Sequence, residues 1–249
     1  MGSEWTPLLW LIVLFAPLLS VKRWLSRHLQ GIGLLFFGNQ EGATALHYIV
    51  LLPGVVLHEF SHWLAAKLVG VRTAGISLMP QVKRGGTIRL GAVQVGKSDP
   101  LRESWIGIAP FIGGTVAILL LATWQFGVEL QPTLSLEMVL HTMVSSWRAP
   151  DALLWLYLLF SISNAMLPSE SDRQPWLSAL LFLGVAAAII YIAGVAVPIP
   201  AKVKEWVLTG ATYLAFSFGL VLAVDIPVAF LLLFIEKLGG ALLGRRVQY

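Results

Sequence analysis

The sequence predicts an all-α integral membrane protein of about six transmembrane helices, with a small β-hairpin between the second and the third. Three observations predict it. Of the 249 residues, 57% are hydrophobic and only 12% are charged, against roughly 25% charged in ordinary soluble domains. Several apolar stretches approach the roughly 20 residues that a helix needs to cross a hydrocarbon core of about 30 Å. One polar interval, residues 71–103, interrupts them, and there two runs containing β-branched residues flank the turn signal "KRGG". The chain has no cysteine, which excludes a disulfide framework, a thiolate nucleophile and a thiolate-ligated metal. The lipid bilayer is the first expected partner, and nothing in the composition points to nucleic acid.

The spans are expected near residues 5–19, 43–71, 105–126, 152–167, 176–197 and 206–235. Glu4 precedes the first and "VKRWLSRH" follows it, the reverse of a signal-peptide charge pattern, so a retained span is expected. The basic run "VKRWLSRHLQGIGLLFF" reads as an amphipathic segment lying along the outer interface. The hairpin is expected over residues 76–95. "SLEMVLHTMVSSW" places Leu136, Val139, Leu140 and Met143 at helical spacing, the pattern of a short helix on the outer surface. "PIPAKVKE" marks the turn between the last two spans. With six spans and the N-terminus inside, 11 of the 17 Lys and Arg fall on the inner side, so both termini are expected in the cytosol. No linker divides the chain, which reads as one membrane-embedded domain over residues 1–249.

The chemistry sits in "HEFSH", residues 58–62, inside the second span. Residues four apart share one face of a helix, so His58 and His62 can aim two imidazoles at one point with Glu59 beside it. Zinc takes imidazole nitrogen readily, and hydrolytic sites hold it with three protein ligands and a water. The metal acidifies that water, and the neighbouring Glu is the expected general base. With five His and nine Glu in the chain, shuffling yields the motif about 0.004 times, so chance does not explain it. His58 lies 12 residues before Gly70, roughly 18 Å along a helix, so a hydrophilic cavity must bring water to that depth. His28, His47 and His141 are expected at the surface or interface, and Glu137 with His141 reads as a solvated pair. The third ligand is expected to be a carboxylate in "SNAMLPSESDRQPW", where Glu170 and Asp172 follow the fourth span.

A membrane-embedded His-Glu-x-x-His followed two spans later by Asn164, Pro168 and Asp172 resembles the site-2 protease family of intramembrane zinc metalloproteases. The resemblance covers residues 43–176, in the order motif helix, polar hairpin, glycine-bearing helix with "APFIGG", and Asp-bearing helix. The residue after Asp172 is Arg173, where the family usually has Gly. The resemblance implies one zinc per chain held by His58, His62 and Asp172, with Glu59 as base and Asn164 as a substrate-facing or transition-state-stabilising amide. It implies a minimal core without a soluble domain, cleaving in or near a transmembrane segment of a protein substrate, in a prokaryotic plasma membrane. The hairpin is expected to hold the unwound substrate by strand addition.

Two other readings compete. A protein of the same fold can bind membrane proteins without cutting them. A transporter can use His58, Glu59, His62 and Asp225 to conduct protons or metal ions. Asp225, inside the last span and two residues before Pro227, has two readings, pairing with a backbone donor freed by a kink or gating the cavity, and the structural one is favoured.

Overall fold

The computed structural model describes residues 5–78, 81–82, 88–89, 91–130, 135–192, 200–245 and 247. Helices α1 (Thr6–Phe37) and α2 (Gln40–Leu68) are followed by strands β1 (Thr73–Ser77), β2 (Gln81–Val82), β3 (Ile88–Arg89) and β4 (Ala92–Val95). Then come α3 (Pro100–Leu120), ending in a π-helical turn (Leu121–Gln125), α4 (Leu136–Arg148), α5 (Ala152–Met166), α6 (Glu170–Ile192) and α7 (Ala201–Leu243).

Among the described residues four helices are long and apolar enough to cross a membrane: α1, α2, α3 with its π-turn, and α7. The six expected spans are not found. α5 has 15 residues, about 22 Å at 1.5 Å per residue, too short to cross alone, and α6 continues from it with a bend of 50°. Counting that pair as one broken span gives five. The break has a local cause. Leu167 precedes Pro168, which disfavours helical torsion for it, and Leu167 is extended at φ −70°, ψ 132°.

α1 corrects two expectations. The basic run after residue 19 continues the same helix instead of lying on the interface. Leu18, Leu25, Leu29 and Ile32 bury one side of it against the core, and His28 meets Glu236 of α7 at 2.6 Å. The two helices run in parallel, since Lys204 lies over Trp5, Phe15 packs on Phe218 and Leu35 borders Gly239. The start of α1 and the end of α7 therefore lie at opposite ends of the bundle, and two termini on one side, as expected from charge, do not follow from this arrangement.

The hairpin is present, with β1 antiparallel to β4 and β2 to β3; the turn at residues 83–87 and the first two residues of "PIPAKVKE" lie outside the described residues, and from Ala201 on that stretch is the start of α7, not a turn. Asp99 caps α3 by accepting from the backbone N–H of Leu101 and Arg102; the Arg102 N–H holds its carboxyl below the usual value. α4 forms as expected, but with a different inner face. Val139, Thr142 and Ser146 are buried, while Leu140, Val144 and Trp147 point outward, as suits a helix at a lipid interface.

Close packing around the site depends on glycine. A side chain at Gly54 would run into the Ser161 carbonyl, one at Gly107 into the Asp172 carbonyl, and one at Gly114 into Met166. These three contacts draw α2, α5, α3 and α6 together, as small residues do in membrane bundles.

Candidate metal centre

His58 and His62 project from α2, one turn apart, and meet Asp172 from the first turn of α6. His62 Nε2 lies 3.1 Å from His58 Nε2 and 3.2 Å from Asp172 Oδ1. His58 Nε2 lies 3.6 Å from Asp172 Oδ2. Among the described residues these three side chains form the one group able to hold a metal ion. Of the two carboxylates read as alternatives for the third position, Asp172 joins the histidines and exposed Glu170 does not.

The tautomers of both histidines follow from their other nitrogens. His58 Nδ1–H donates to Ala165 O at 2.7 Å and His62 Nδ1–H to Ile106 O at 2.8 Å. A carbonyl only accepts, so each ring carries a proton on Nδ1, and in the neutral imidazole this turns the Nε2 lone pair to the shared point. Zinc bonds of roughly 2.0–2.1 Å at tetrahedral angles separate ligand atoms by about 3.3 Å, so the donor set fits a zinc-sized ion.

Both supporting carbonyls are released by proline. Pro110 lies inside α3 and has no N–H to give the carbonyl four residues earlier, which is that of Ile106. Ala165 O is one of the last carbonyls of α5, orphaned when Pro168 ends the helix. A third proline, Pro53 in α2, frees Ile49 O, which accepts from Tyr157 Oη at 3.3 Å.

Asp172 is held by the helix that it begins. Its Oδ2 accepts from Ser169 N–H at 2.7 Å, and its own N–H donates to Ser169 Oγ at 3.3 Å. This is a reciprocal capping box. Arg173 continues the helix with its N–H on Ser169 O at 3.3 Å and does not adopt positive φ, so nothing at this position calls for glycine.

Glu59 is buried at 5% exposure. A Cβ at Gly91, just before β4, would come within 2.8 Å of its Oε1. The hairpin backbone therefore rests directly on the expected base. Asn164 lines the same cavity, and its Nδ2 donates to Phe160 O at 2.9 Å and to Asp225 Oδ1 at 3.0 Å. Asp225, 1% exposed, thus serves the side-chain amide of Asn164, and α7 runs on through Pro227 as one helix.

Two cavities meet at His62 and Asp172. One, of about 450 Å3, runs between β4 and α6 and includes Val93, Val95, Gly107 and Gln174. The other, of about 660 Å3, runs along α2 from the metal group to His47 and is walled by Lys22, Ser26 and Gln30 of α1. His47 is buried and faces Gln30 across 3.2 Å, so it is neither a surface nor an interfacial residue. His141 is exposed, as expected.

The sequence spacing named His58, His62 and Glu59, and the family resemblance named Asp172, the side chain that joins the two histidines. Both missed Gly91, Ser169, Ile106 and Ala165. Ser169 carried a legible signal, three residues before Asp172, and Pro110 and Pro168 mark both carbonyls. The chain matches no protein-family model, no curated protein and no solved structure.

Proposed function

We propose that this chain is an intramembrane zinc metalloprotease resembling the site-2 protease family, which hydrolyses a peptide bond in or near a transmembrane segment of another membrane protein. The observation that carries the reading is the convergence of His58 Nε2, His62 Nε2 and Asp172 beside Glu59, inside a cavity among apolar helices. Zinc held by these three residues, one ion per chain, supplies an acidified water and polarises the scissile carbonyl.

The chain's own residues do the rest. Ile106 O and Ala165 O hold the imidazole rings in the tautomer that offers Nε2, which also raises their basicity as ligands. Glu59 takes a proton from the attacking water and delivers it to the leaving amine. A helical substrate hides its carbonyls in its own hydrogen bonds and must be unwound first. Among the described residues β4 pairs on one side only, with β1, and its Val93 and Val95 line the smaller cavity, which suits the strand to receive an extended segment. Asn164 is fixed at the cavity wall by Asp225, where it can meet the substrate backbone.

Ion conduction through His58, Glu59, His62 and Asp225 is supported less well, because Asp225 reaches Asn164 and not the histidines. Zinc analysis of tag-free protein tests the proposal: about one zinc in the wild type, lost in Asp172→Ala, followed by loss of substrate cleavage in Glu59→Gln with zinc retained. Folded wild type that binds no zinc would sink the protease and return these side chains to conduction.

A further inference from the structure

The larger cavity contains a cation that the chemistry above does not use. Lys22 lies midway along α1, 16 residues after Thr6 and 15 before Phe37, which is more than 20 Å from either end of the helix. Lys22, Ser26 and Gln30 repeat every four residues, so they share one face, and all three line the cavity. The contact of Gln30 with His47 fixes the register of α1 against antiparallel α2. Eight residues back along α1 and eight on along α2 bring Lys22 level with Val55, about one turn from His58. Among the described residues its ammonium makes no hydrogen bond or ion pair. The charge of Asp225 reaches Lys22, but its carboxylate is engaged by Asn164 at 3.0 Å, makes no ion pair with Lys22 and does not line the cavity. An ammonium at mid-depth without an ion-pair contact is costly to keep unless it meets an anion directly.

We propose that Lys22, with Ser26 beside it, forms a subsite for a single carboxylate of the bound polypeptide, within a residue or two of the bond at the metal. The chemistry points to a carboxylate because the ammonium makes no ion pair of its own, its neighbours along α1, Ser26 and Gln30, are neutral, and the acids of the cavity lie with the metal group. A lipid phosphate does not reach this depth. The carboxylate belongs either to an acidic side chain or to a chain terminus.

The proposal rests on the metal reading and is tested without proteolysis, by calorimetric titration of zinc-loaded protein with three short peptide hydroxamates on one scaffold. One is neutral, one carries a Glu side chain with an amidated end, and one carries a free terminal carboxylate. In the wild type one of the acidic probes should bind about 10- to 100-fold tighter than the neutral one, and which one it is identifies the source of the carboxylate. Lys22→Met should erase that preference while leaving the neutral probe's affinity unchanged, which also shows that the variant is folded; Lys22→Arg should keep most of it. Equal binding of all three probes by the wild type, or a preference that survives Lys22→Met, overturns the subsite. Failure of the protein to take up zinc overturns the metal reading and the subsite with it, and zinc-loaded protein that binds none of the three probes overturns the subsite.

Discussion

The carbonyls that orient His62 and His58 are both set free by proline, yet the two regions respond in opposite ways. At Pro110 the helix carries on, because α3 is gripped on both sides by α2 and by the α5–α6 pair through Gly107 and Gly114, and one missing N–H costs one internal bond. At Pro168 the helix stops, because Leu167 turns extended and Ser169 is at hand to start a new one. The first proline supplies a single acceptor in a rigid wall. The second supplies an acceptor and also brings in the helix start that carries Asp172. One residue type therefore does two jobs, and its neighbours decide which.

Pro168→Ala attacks the second region. It allows α5 to run on, lets Ser169 N–H compete for Ala165 O and swings Asp172 away. Loss of nearly all bound zinc is expected by elemental analysis, with helicity unchanged or higher by circular dichroism. Retained stoichiometric zinc would show that the bend is held by packing and not by the proline.

Pro110→Ala is the matched change in the first region and should be milder. A new N–H at position 110 competes with His62 for Ile106 O, so zinc affinity should fall about 10- to 100-fold, read by competition with a chelator, while the melting temperature rises. A variant that is both stabler and a poorer zinc binder separates the two roles of α3. Gly91→Ala sharpens the contrast further, because it presses on Glu59 and on no ligand; cleavage should drop about tenfold or more at unchanged zinc content.

Tyr157→Phe is the control at the third proline. Losing the hydrogen bond to Ile49 O should cost about 1 kcal/mol of stability, seen as a small fall in melting temperature, with no effect on zinc.

The motif helix, the hairpin and the short α4 were legible because each depends on local spacing: His58 and His62 at four residues, β-branched runs around "KRGG", and Leu136, Val139, Leu140 and Met143 at helical intervals. The count of spans was not. Apolar composition on both sides of "LPSESDRQ" reads as two crossings, and only the fold shows that α6 continues α5 at an angle. The course of α1 was hidden for another reason. Lys22, Ser26 and His28 look like an interface when read alone, and their actual settings, a cavity and Glu236, are built by residues far along the chain. Glu170 and Asp172 likewise cannot be told apart by type, since the capping box decides which of them turns inward.

That capping box has one further consequence. Ser169 parks the Asp172 carboxylate for the sake of helix α6, so its position is set by the backbone before any ion arrives. Both histidines are likewise anchored through their far nitrogens. Removing the ion with a chelator leaves the socket standing, and the protein should be reloadable, losing and regaining its metal many times over without passing through an unfolded state.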